Sequence, residues 1–467
     1  MTNARFIGVC ALVGAAAAVL TFSGPRRSDA GESESRQLVF ANASGLLRTI
    51  STTGTIDLSN PFFESLGTNG RSCASCHTPS EGWSITPEGV QARFLESEGA
   101  DAVFRNNDGS NCEGVEPTSL QEQRDAYSLL LTRGLIRVGL DLPAGAEFLI
   151  DSVSDPYQCT WSTNQISVYR RPLPSTNVRF LSAVMWDGRE SSVESAIDDD
   201  LGHQANSATR GHAAAFSDIT ADQARQIVAF QRGLITAQAY DNQAGMLNAD
   251  RAEGGPAALS QQQFFIGIND PIGFNPTGEP FSSVVFRVFE SWNAMPTAQR
   301  GPVVEARQAI ARGQEIFNTR QLTLSGVGGL NGETFSNGVS LPGSFTGTCT
   351  VCHDSPNVGN HSVKAPLDIG LSAAGVAPYL PVYTLRNPIT GDTVQTTDPG
   401  RALITGKWRD INRFKGPILR GLAARAPYFH NGSATTLAEV VDFYDTRFDI
   451  RLTAREKADL VAFLRSL

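Results

Sequence analysis

Two short motifs constrain this chain more than any other feature: "CASCH" at residues 73–77 and "CTVCH" at 349–353. In each, two thiols stand three positions apart and a histidine follows the second thiol directly. Zinc sites and thioredoxin-type redox pairs also use a Cys-x-x-Cys spacing. However, zinc usually takes two such pairs that are close in sequence, and a redox pair needs a strand before it and a helix after it. Turn-forming residues surround both motifs here, and neither alternative uses the histidine.

Covalent attachment of haem c uses all three side chains of such a motif. The two thiols add across the vinyl groups of the porphyrin, and the histidine binds the iron. The sequence therefore predicts two covalently bound haem c groups, with His77 and His353 as axial ligands of the two irons. The residues predicted to hold the haems are Cys73, Cys76, His77, Cys349, Cys352 and His353.

The first 30 residues have the order of a secretory signal peptide. Arg5 precedes an apolar run at 6–22, and polar residues follow it. This order predicts a signal at 1–30 with cleavage after Ala30; an uncleaved membrane anchor is the alternative. Because haem c is attached outside the cytoplasm, we expect a periplasmic protein whose mature form has no membrane segment.

The charge balance argues against polyanionic partners. The formal net charge is −9 and no basic run stands out. Nucleic acids and anionic membrane surfaces are therefore not expected to bind this chain.

Two further cysteines, Cys112 and Cys159, lie outside the haem motifs. An exported protein rarely keeps idle thiols, so we predict that these two form a disulfide. Two separate buried thiols are the alternative.

The chain contains an internal repeat that suggests its domain organisation. The segments 220–234 and 453–467 share several residues at the same offsets, and each begins with a T-x-x-Q/E capping box before a helical apolar pattern. We predict a mainly α fold of two cytochrome c-like haem domains, with loop-rich insertions and a few short strands. The predicted domains are 31–245 and 299–467, joined by a linker or insertion at 246–298.

Two stretches resemble the bacterial di-haem cytochrome c peroxidase and MauG-like family. "RFKGPILRGLAARAPYFHNGSATTLAEVVDFYDTRF" at 413–448 is similar to its C-terminal signature, and "MWDGRE" at 185–190 to its stretch between the haems. The resemblance implies an oxidoreductase in which electrons pass from the C-terminal haem to an N-terminal haem that reacts with hydrogen peroxide or dioxygen. A small redox protein or another donor would supply the electrons. A non-catalytic electron-transfer cytochrome and a MauG-like oxygenase or protein-modifying enzyme are the alternatives.

The second axial ligand of the C-terminal haem cannot be a methionine of its own domain, because no methionine lies in 299–467. His361, His430 and a tyrosine are the candidates. In the MauG-like branch a tyrosine takes this place, and the matching position here is Tyr444, although a helix-core role would also explain it. The resemblance also implies that Trp186 lies between the haems and relays electrons; an ordinary core role is the alternative.

The N-terminal haem is where this chain departs from the family. No histidine occurs between His77 and His203, and the family glutamate expected about twenty residues beyond the W-D-G-R stretch is not matched, with Asn206 near its place. Peroxidase turnover is therefore open. The candidate polar residues are His203, Gln204 and His212, with His212 first, either as an acid–base catalyst or as an iron ligand. A surface-loop role is the alternative.

The family also carries a calcium ion between its domains. The positions that would supply two of its ligands are Arg171 and Arg425 here. A guanidinium cannot bind Ca²⁺, so we predict no calcium at this place.

Overall fold

The helices of this protein are short and are separated by long turns. The computed structural model describes residues 36–192, 196–295 and 301–467, so the signal predicted at 1–30 lies outside the described residues. The described residues contain ten α-helices. They are α1 (Pro87–Ser97), α2 (Leu120–Ala126), α3 (Ser128–Arg133), α4 (Ile197–Gly211), α5 (Ala221–Gly233), α6 (Pro256–Leu259), α7 (Pro302–Thr319), α8 (Ala402–Thr405), α9 (Leu437–Arg447) and α10 (Ala454–Arg465).

Strands are more numerous than the sequence predicts. The described residues contain β1 (Gln37–Asn42), β2 (Gly45–Ser51), β3 (Ile136–Asp141), β4 (Leu149–Ser154), β5 (Gln165–Arg170), β6 (Leu234–Asp241), β7 (Gly245–Met246), β8 (Leu322–Ser325), β9 (Ser344–Gly347), β10 (Val382–Arg386) and β11 (Thr393–Thr396). They pair antiparallel in the orders β1-β2-β6-β7, β11-β10-β4, β3-β5 and β8-β9. The fold is therefore helical with several short antiparallel sheets, and the expectation of a mainly α fold holds only in part.

Side-chain caps explain where the repeated helices begin. Thr220 and Thr453 each accept a hydrogen bond from the backbone of the residue three positions on, and Gln223 and Glu456 return the bond to the cap backbone. Each reciprocal pair satisfies two backbone N–H groups that a helix start leaves free. The two predicted capping boxes are thus confirmed. None of the helices in the described ranges combines the length and apolar character needed to cross a bilayer.

The segment predicted as a linker supplies core side chains to the C-terminal half. Phe286, Phe289 and Trp292 are fully buried, and they pack in one cluster with Phe317 of α7 and Phe463 of α10. Edge-on ring contacts join Phe286 to both helices, with centroids 5.2 Å apart. Burial of such aromatic surface is a main source of folding free energy, so this segment anchors the α7–α10 pair.

Long-range pairing joins the two halves of the chain. Strand β4, from the first predicted domain, pairs with β10 of the second. The described residues fall in one compact unit. The partner of β4 could not be inferred from the sequence, because pairing between distant segments leaves no local pattern. The predicted domain boundaries stay a prediction.

A disulfide closes the insertion of the N-terminal half. Cys112 and Cys159 are bonded, with Cα atoms 5.3 Å apart. Nearby, the Tyr169 hydroxyl donates to the carbonyl oxygen of Asn111. The bridge ties the loop before α2 to the loop before β5.

Candidate functional site

The first Cys-x-x-Cys-His motif opens onto a cavity in the N-terminal half. A single 3-10 turn at Cys73–Ser75 presents the first thiol, and the Ser75 hydroxyl accepts a hydrogen bond from the Ser72 N–H at 3.0 Å. The two thiols and His77 line a cavity of about 180 Å³. Most of its other wall residues are apolar.

The second motif repeats this arrangement in the C-terminal half. A 3-10 turn at Cys349–Val351 presents the first thiol, and Cys349, Cys352 and His353 line a cavity of about 190 Å³. The turn repeats for a local reason. In each motif a backbone hydrogen bond to the first cysteine closes the short Cys-x-x-Cys loop, and the closed loop places both thiols on the same side. In both motifs the N–H of the second cysteine donates to the carbonyl of the first.

Each motif histidine is oriented by a backbone carbonyl. His77 Nδ1 lies 3.0 Å from the carbonyl oxygen of Trp83, and His353 Nδ1 lies 2.6 Å from that of Gly359. A carbonyl only accepts, so Nδ1 carries the proton and Nε2 keeps its lone pair. Burial lowers the pKa of both rings, to about 4 for His353, which keeps them neutral. Metal-binding histidines are oriented in this way, so both rings fit the role of iron ligand.

The four motif thiols are protonated and free. Burial raises the pKa of Cys73, Cys349 and Cys352 to about 12 and also raises that of Cys76. None of these four forms a disulfide, although Cys112 and Cys159 do. Two thiol pairs held apart in separate apolar cavities, each beside a neutral histidine, fit covalent haem c better than one four-cysteine zinc centre.

A single wall separates the two cavities. Five residues line both of them: Arg171, Pro172, Leu173, Trp186 and Lys415. Trp186 Nε1 donates to the carbonyl oxygen of Arg171 at 2.8 Å, and the Lys415 N–H donates to that of Trp186 at 2.9 Å. The indole is therefore held in the wall by its own hydrogen bond and by its backbone.

The turn that carries Trp186 is held by buried charge. The Asp187 carboxylate pairs with Arg170 and Arg189, and Arg170 also pairs with Asp398 at 2.6 Å. Burial alone would raise the pKa of Asp187, but the two guanidinium groups outweigh it and hold this pKa at about 2. Asp187 thus stays ionised and fixes the wall; it does not line either cavity.

Helix α4 brings two predicted polar residues to the first cavity. Gln204 lies on the helix, His212 caps its C-terminus, and both line the cavity. The His212 ring donates from Nδ1 to the buried carboxylate of Asp108, which also binds the buried guanidinium of Arg71. This leaves the Nε2 lone pair of His212 free to bind a proton or a metal.

Sequence reasoning missed Asp108 and Arg71. They lie 37 positions apart, and Asp108 is 104 positions from His212, so no local spacing links the three residues. Only a search for charged residues that have no charged residue next to them in the sequence could have identified Asp108 and Arg71.

The third candidate, His203, lies away from the first cavity, and so does Asn206, the residue near the place of the unmatched family glutamate. The His203 side chain is 70% exposed and pairs with Glu190. The Asn206 side chain accepts a hydrogen bond from the Ile219 N–H at 3.0 Å, which ties α4 to the start of α5. Neither residue lines the cavity.

Helix α9 brings Tyr444 to the second cavity. Tyr444 lines it together with both thiols and His353, and burial raises the pKa of its phenol. Its hydroxyl forms no hydrogen bond with any described residue. A free phenol that faces the second cavity fits the predicted iron ligand, and a bound iron would favour the phenolate that burial disfavours.

The two alternative ligands differ in position. His430 lines the second cavity, but it stacks on Phe414 with centroids 4.0 Å apart, and its Nε2 lies 3.2 Å from the Ser372 hydroxyl. His361 is buried beside Asp354 and does not line either cavity.

The position at which the resemblance implies a calcium ligand contains the buried guanidinium of Arg171. Arg171 donates to the carbonyl oxygens of Ile85, Arg133, Gly134, Arg425 and Ala426. The guanidinium of Arg171 therefore already supplies a positive charge to these carbonyl oxygens. The absence of calcium stays a prediction.

Comparisons with known proteins agree with the predicted resemblance. A profile of the RoxA-like, cytochrome c-like family matches residues 414–450. The chain is 40% identical over 139 residues to the cytochrome-c peroxidase IdrP1 of Pseudomonas sp. (strain SCT), which covers 26% of this chain and 36% of that protein. It is 32% identical over 120 residues to the cytochrome c551 peroxidase of Nitrosomonas europaea, covering 26% of this chain and 30% of the relative.

The chain thus spans about a third of the length of these curated relatives. A crystal structure of a MauG-like protein associated with microbial copper homeostasis aligns over 87% of this chain and 86% of its own, with a TM-score of 0.38 and 17% identity. The named relatives are cytochrome-c peroxidases, which are haem oxidoreductases, and they confirm the resemblance to bacterial cytochrome c peroxidases.

Proposed function

We propose that this chain, similar in part to bacterial cytochrome c peroxidases, is an exported, periplasmic di-haem cytochrome that reduces hydrogen peroxide. Its haem domains are 31–245 and 299–467. One observation carries the proposal: two cavities, each with a Cys-x-x-Cys-His motif and a carbonyl-oriented histidine, share one wall that contains Trp186.

The chemistry that the haems supply is one-electron transfer at iron, together with binding of a small oxygen species. Reduction of one peroxide needs two electrons and two protons and releases two waters. A small redox protein or another donor would supply the electrons, and haems held in the two cavities would pass them from the second cavity to the first across the shared wall. Trp186 lies in that wall, and its indole suits electron relay because it is held rigidly between the cavities.

His212 supplies the proton transfer in the first cavity. Its Nε2 would take a proton from one peroxide oxygen and return it to the leaving oxygen, as a general acid–base group does. Asp108 accepts the hydrogen bond from Nδ1 and so fixes the tautomer in which Nε2 is the basic nitrogen. Gln204, on the same helix, offers an amide to orient the peroxide.

Tyr444 would bind the iron of a haem in the second cavity and so close that site to exogenous ligands. A phenolate is a hard anionic donor that stabilises oxidised iron, so a haem held there would supply an oxidising equivalent and would not bind peroxide. Among the described residues, the lining of the second cavity contains no Asp or Glu that could pair with a histidine there.

The test is electron paramagnetic resonance of the oxidised holoprotein, with and without hydrogen peroxide. We expect two haems per chain by pyridine haemochrome, one high-spin ferric signal that responds to cyanide, and one signal that does not. A colourless protein, or two cyanide-inert haems, contradicts the proposal.

A second candidate is a cytochrome that transfers electrons without reacting with peroxide. The same Asp108–His212 pair favours it, because a histidine with a free Nε2 is equally suited to bind the first iron. That function predicts two six-coordinate low-spin haems whose spectra do not change with peroxide.

A further inference from the structure

Four cations surround the two cavities with no carboxylate partner. Lys415 and Arg171 line both cavities, Arg420 lines the first and Arg425 lines the second. No Asp or Glu among the described residues forms an ion pair with any of the four. By contrast, the neighbouring Arg170 pairs with both Asp187 and Asp398.

The four cations differ in the hydrogen bonds that they keep. Arg171 donates to five backbone carbonyls. Arg420 has only one partner, the carbonyl oxygen of Asn357 at 3.2 Å, and its Nε and Nη2 are buried without a partner. Arg425 donates from one Nη to Ile418, while its Nε is buried and free. Lys415 Nζ forms no hydrogen bond with any described residue.

Buried cations without a carboxylate partner destabilise the folded protein unless an anion binds near them. Burial lowers the pKa of Lys415 to about 7, with a further contribution from Arg425, and lowers that of Arg420 and Arg425 to about 10. Buried charges in proteins are usually paired, because an unpaired buried charge costs more free energy than an ion pair contributes. The chain therefore presents three incompletely satisfied cations, directed at the cavities that would hold the haems.

We propose that Lys415 is a counter-ion shared by the carboxylates of both haem c groups, with Arg420 completing the anion site of the first cavity and Arg425 that of the second. Each haem c carries two propionate carboxylates, which are anions of the required charge. Lys415 fits this role better than Arg171, because both Nη groups of Arg171 already donate hydrogen bonds to carbonyl oxygens. This inference rests on the proposed presence of two haems.

A shared cation couples the two cofactors electrostatically. A positive charge next to a haem favours the reduced state, which carries one negative charge more than the oxidised state. Lys415 thus raises the reduction potential of both haems at once, whereas Arg420 and Arg425 each act mainly on one.

The test is a spectroscopic potentiometric titration of the full-length holoprotein. Lys415→Met removes the charge and keeps much of the side-chain length, and we expect both midpoint potentials to fall. Lys415→Arg keeps the charge, and we expect potentials near those of the natural protein. Lys407→Met is the matched control: Lys407 lines neither cavity and pairs with Glu147 at 2.9 Å, so its removal should leave both potentials unchanged.

The outcomes separate this inference from the proposed function. If the natural protein contains two haems and Lys415→Met shifts neither potential, or only one, the shared counter-ion is overturned while the di-haem assignment stands. If the natural protein contains fewer than two haems, the proposed function itself fails. If Lys415→Met does not accumulate as holoprotein, Arg420→Gln is measured in its place. A midpoint potential that falls at one haem only supports the anion site. Unchanged midpoint potentials overturn it.

Discussion

Replacing Asp108 with asparagine tests the buried charge cluster of the first cavity. Asp108 is 5% exposed and Arg71 is 1% exposed, and the carboxylate binds both Arg71 and His212. The amide of asparagine has nearly the same size but no charge. It can accept from only one of the two donors, and the Arg71 guanidinium stays buried with carbonyl partners alone.

The expected loss of stability follows from this burial. Breaking a buried ion pair by removing one partner costs about 3–5 kcal/mol, because the other charge is left uncompensated. Asp101→Asn is the matched control. Its pair with Arg93 is partly exposed, 26% at Asp101 and 22% at Arg93, so solvent screens the charge left behind and the loss should be smaller than at Asp108. The measurement is urea unfolding of the holoprotein, followed by circular dichroism at neutral pH.

The same carboxylate gives a pH dependence. Burial alone would raise the pKa of Asp108, but His212 and Arg71 outweigh it and bring this pKa below its ordinary value of 3.8. The folded-state pKa is thus below the unfolded one, so the stabilisation is present above about pH 4 and is lost as the pH falls through the folded pKa. The Asn variant lacks this acid-dependent component.

Activity gives an independent readout. The Asn amide can donate to His212 Nδ1 and so move the ring proton to Nε2, which removes the base. We expect peroxide turnover to fall by about 10²-fold or more. The reasoning is refuted if Asp108→Asn and Asp101→Asn are equally stable, or if both turn over peroxide at the natural rate.

Four further predictions follow from the structure. Tyr444→Phe should open the second haem, seen as a new cyanide-sensitive signal in electron paramagnetic resonance. Trp186→Phe should slow electron transfer between the haems in stopped-flow measurements without changing the haem content. Replacing both Cys112 and Cys159 with serine should lower the free energy of unfolding by about 4 kcal/mol, from the entropy of a loop with a separation of 47 residues. Thr453→Ala should cost about 1 kcal/mol in urea unfolding, because it removes the cap of α10.

Three of these have a matched control. Tyr428→Phe removes a hydroxyl that donates to the Leu422 carbonyl, and it should leave the ligand signals unchanged. Trp161→Phe alters an indole that is 45% exposed and should not affect transfer between the haems. Thr453→Ser keeps the capping oxygen and most of the stability. An unaltered second haem in Tyr444→Phe, or unaltered transfer in Trp186→Phe, would remove the corresponding role.

Some of the candidate site was predictable because its rules are local. The haem motifs and the capped helices each depend on a few neighbouring residues. Their spacing predicted the residues at each cavity and the start of α5 and α10, and the structure has these features. Tyr444 and Trp186 came from a resemblance, and the structure puts the first at the second cavity and the second in the shared wall.

The sequence by itself therefore identified the residues proposed to attach haem and the positions at which two helices begin. Tertiary structure alone decided that Asp108 and Arg71 stand behind His212, that His203 points away from the cavity, and that Lys415 faces both cavities. The physical reason is the distance along the sequence over which each interaction acts. Covalent attachment and helix capping act over three or four positions, whereas burial and ion pairing depend on which distant segments the packed core brings together.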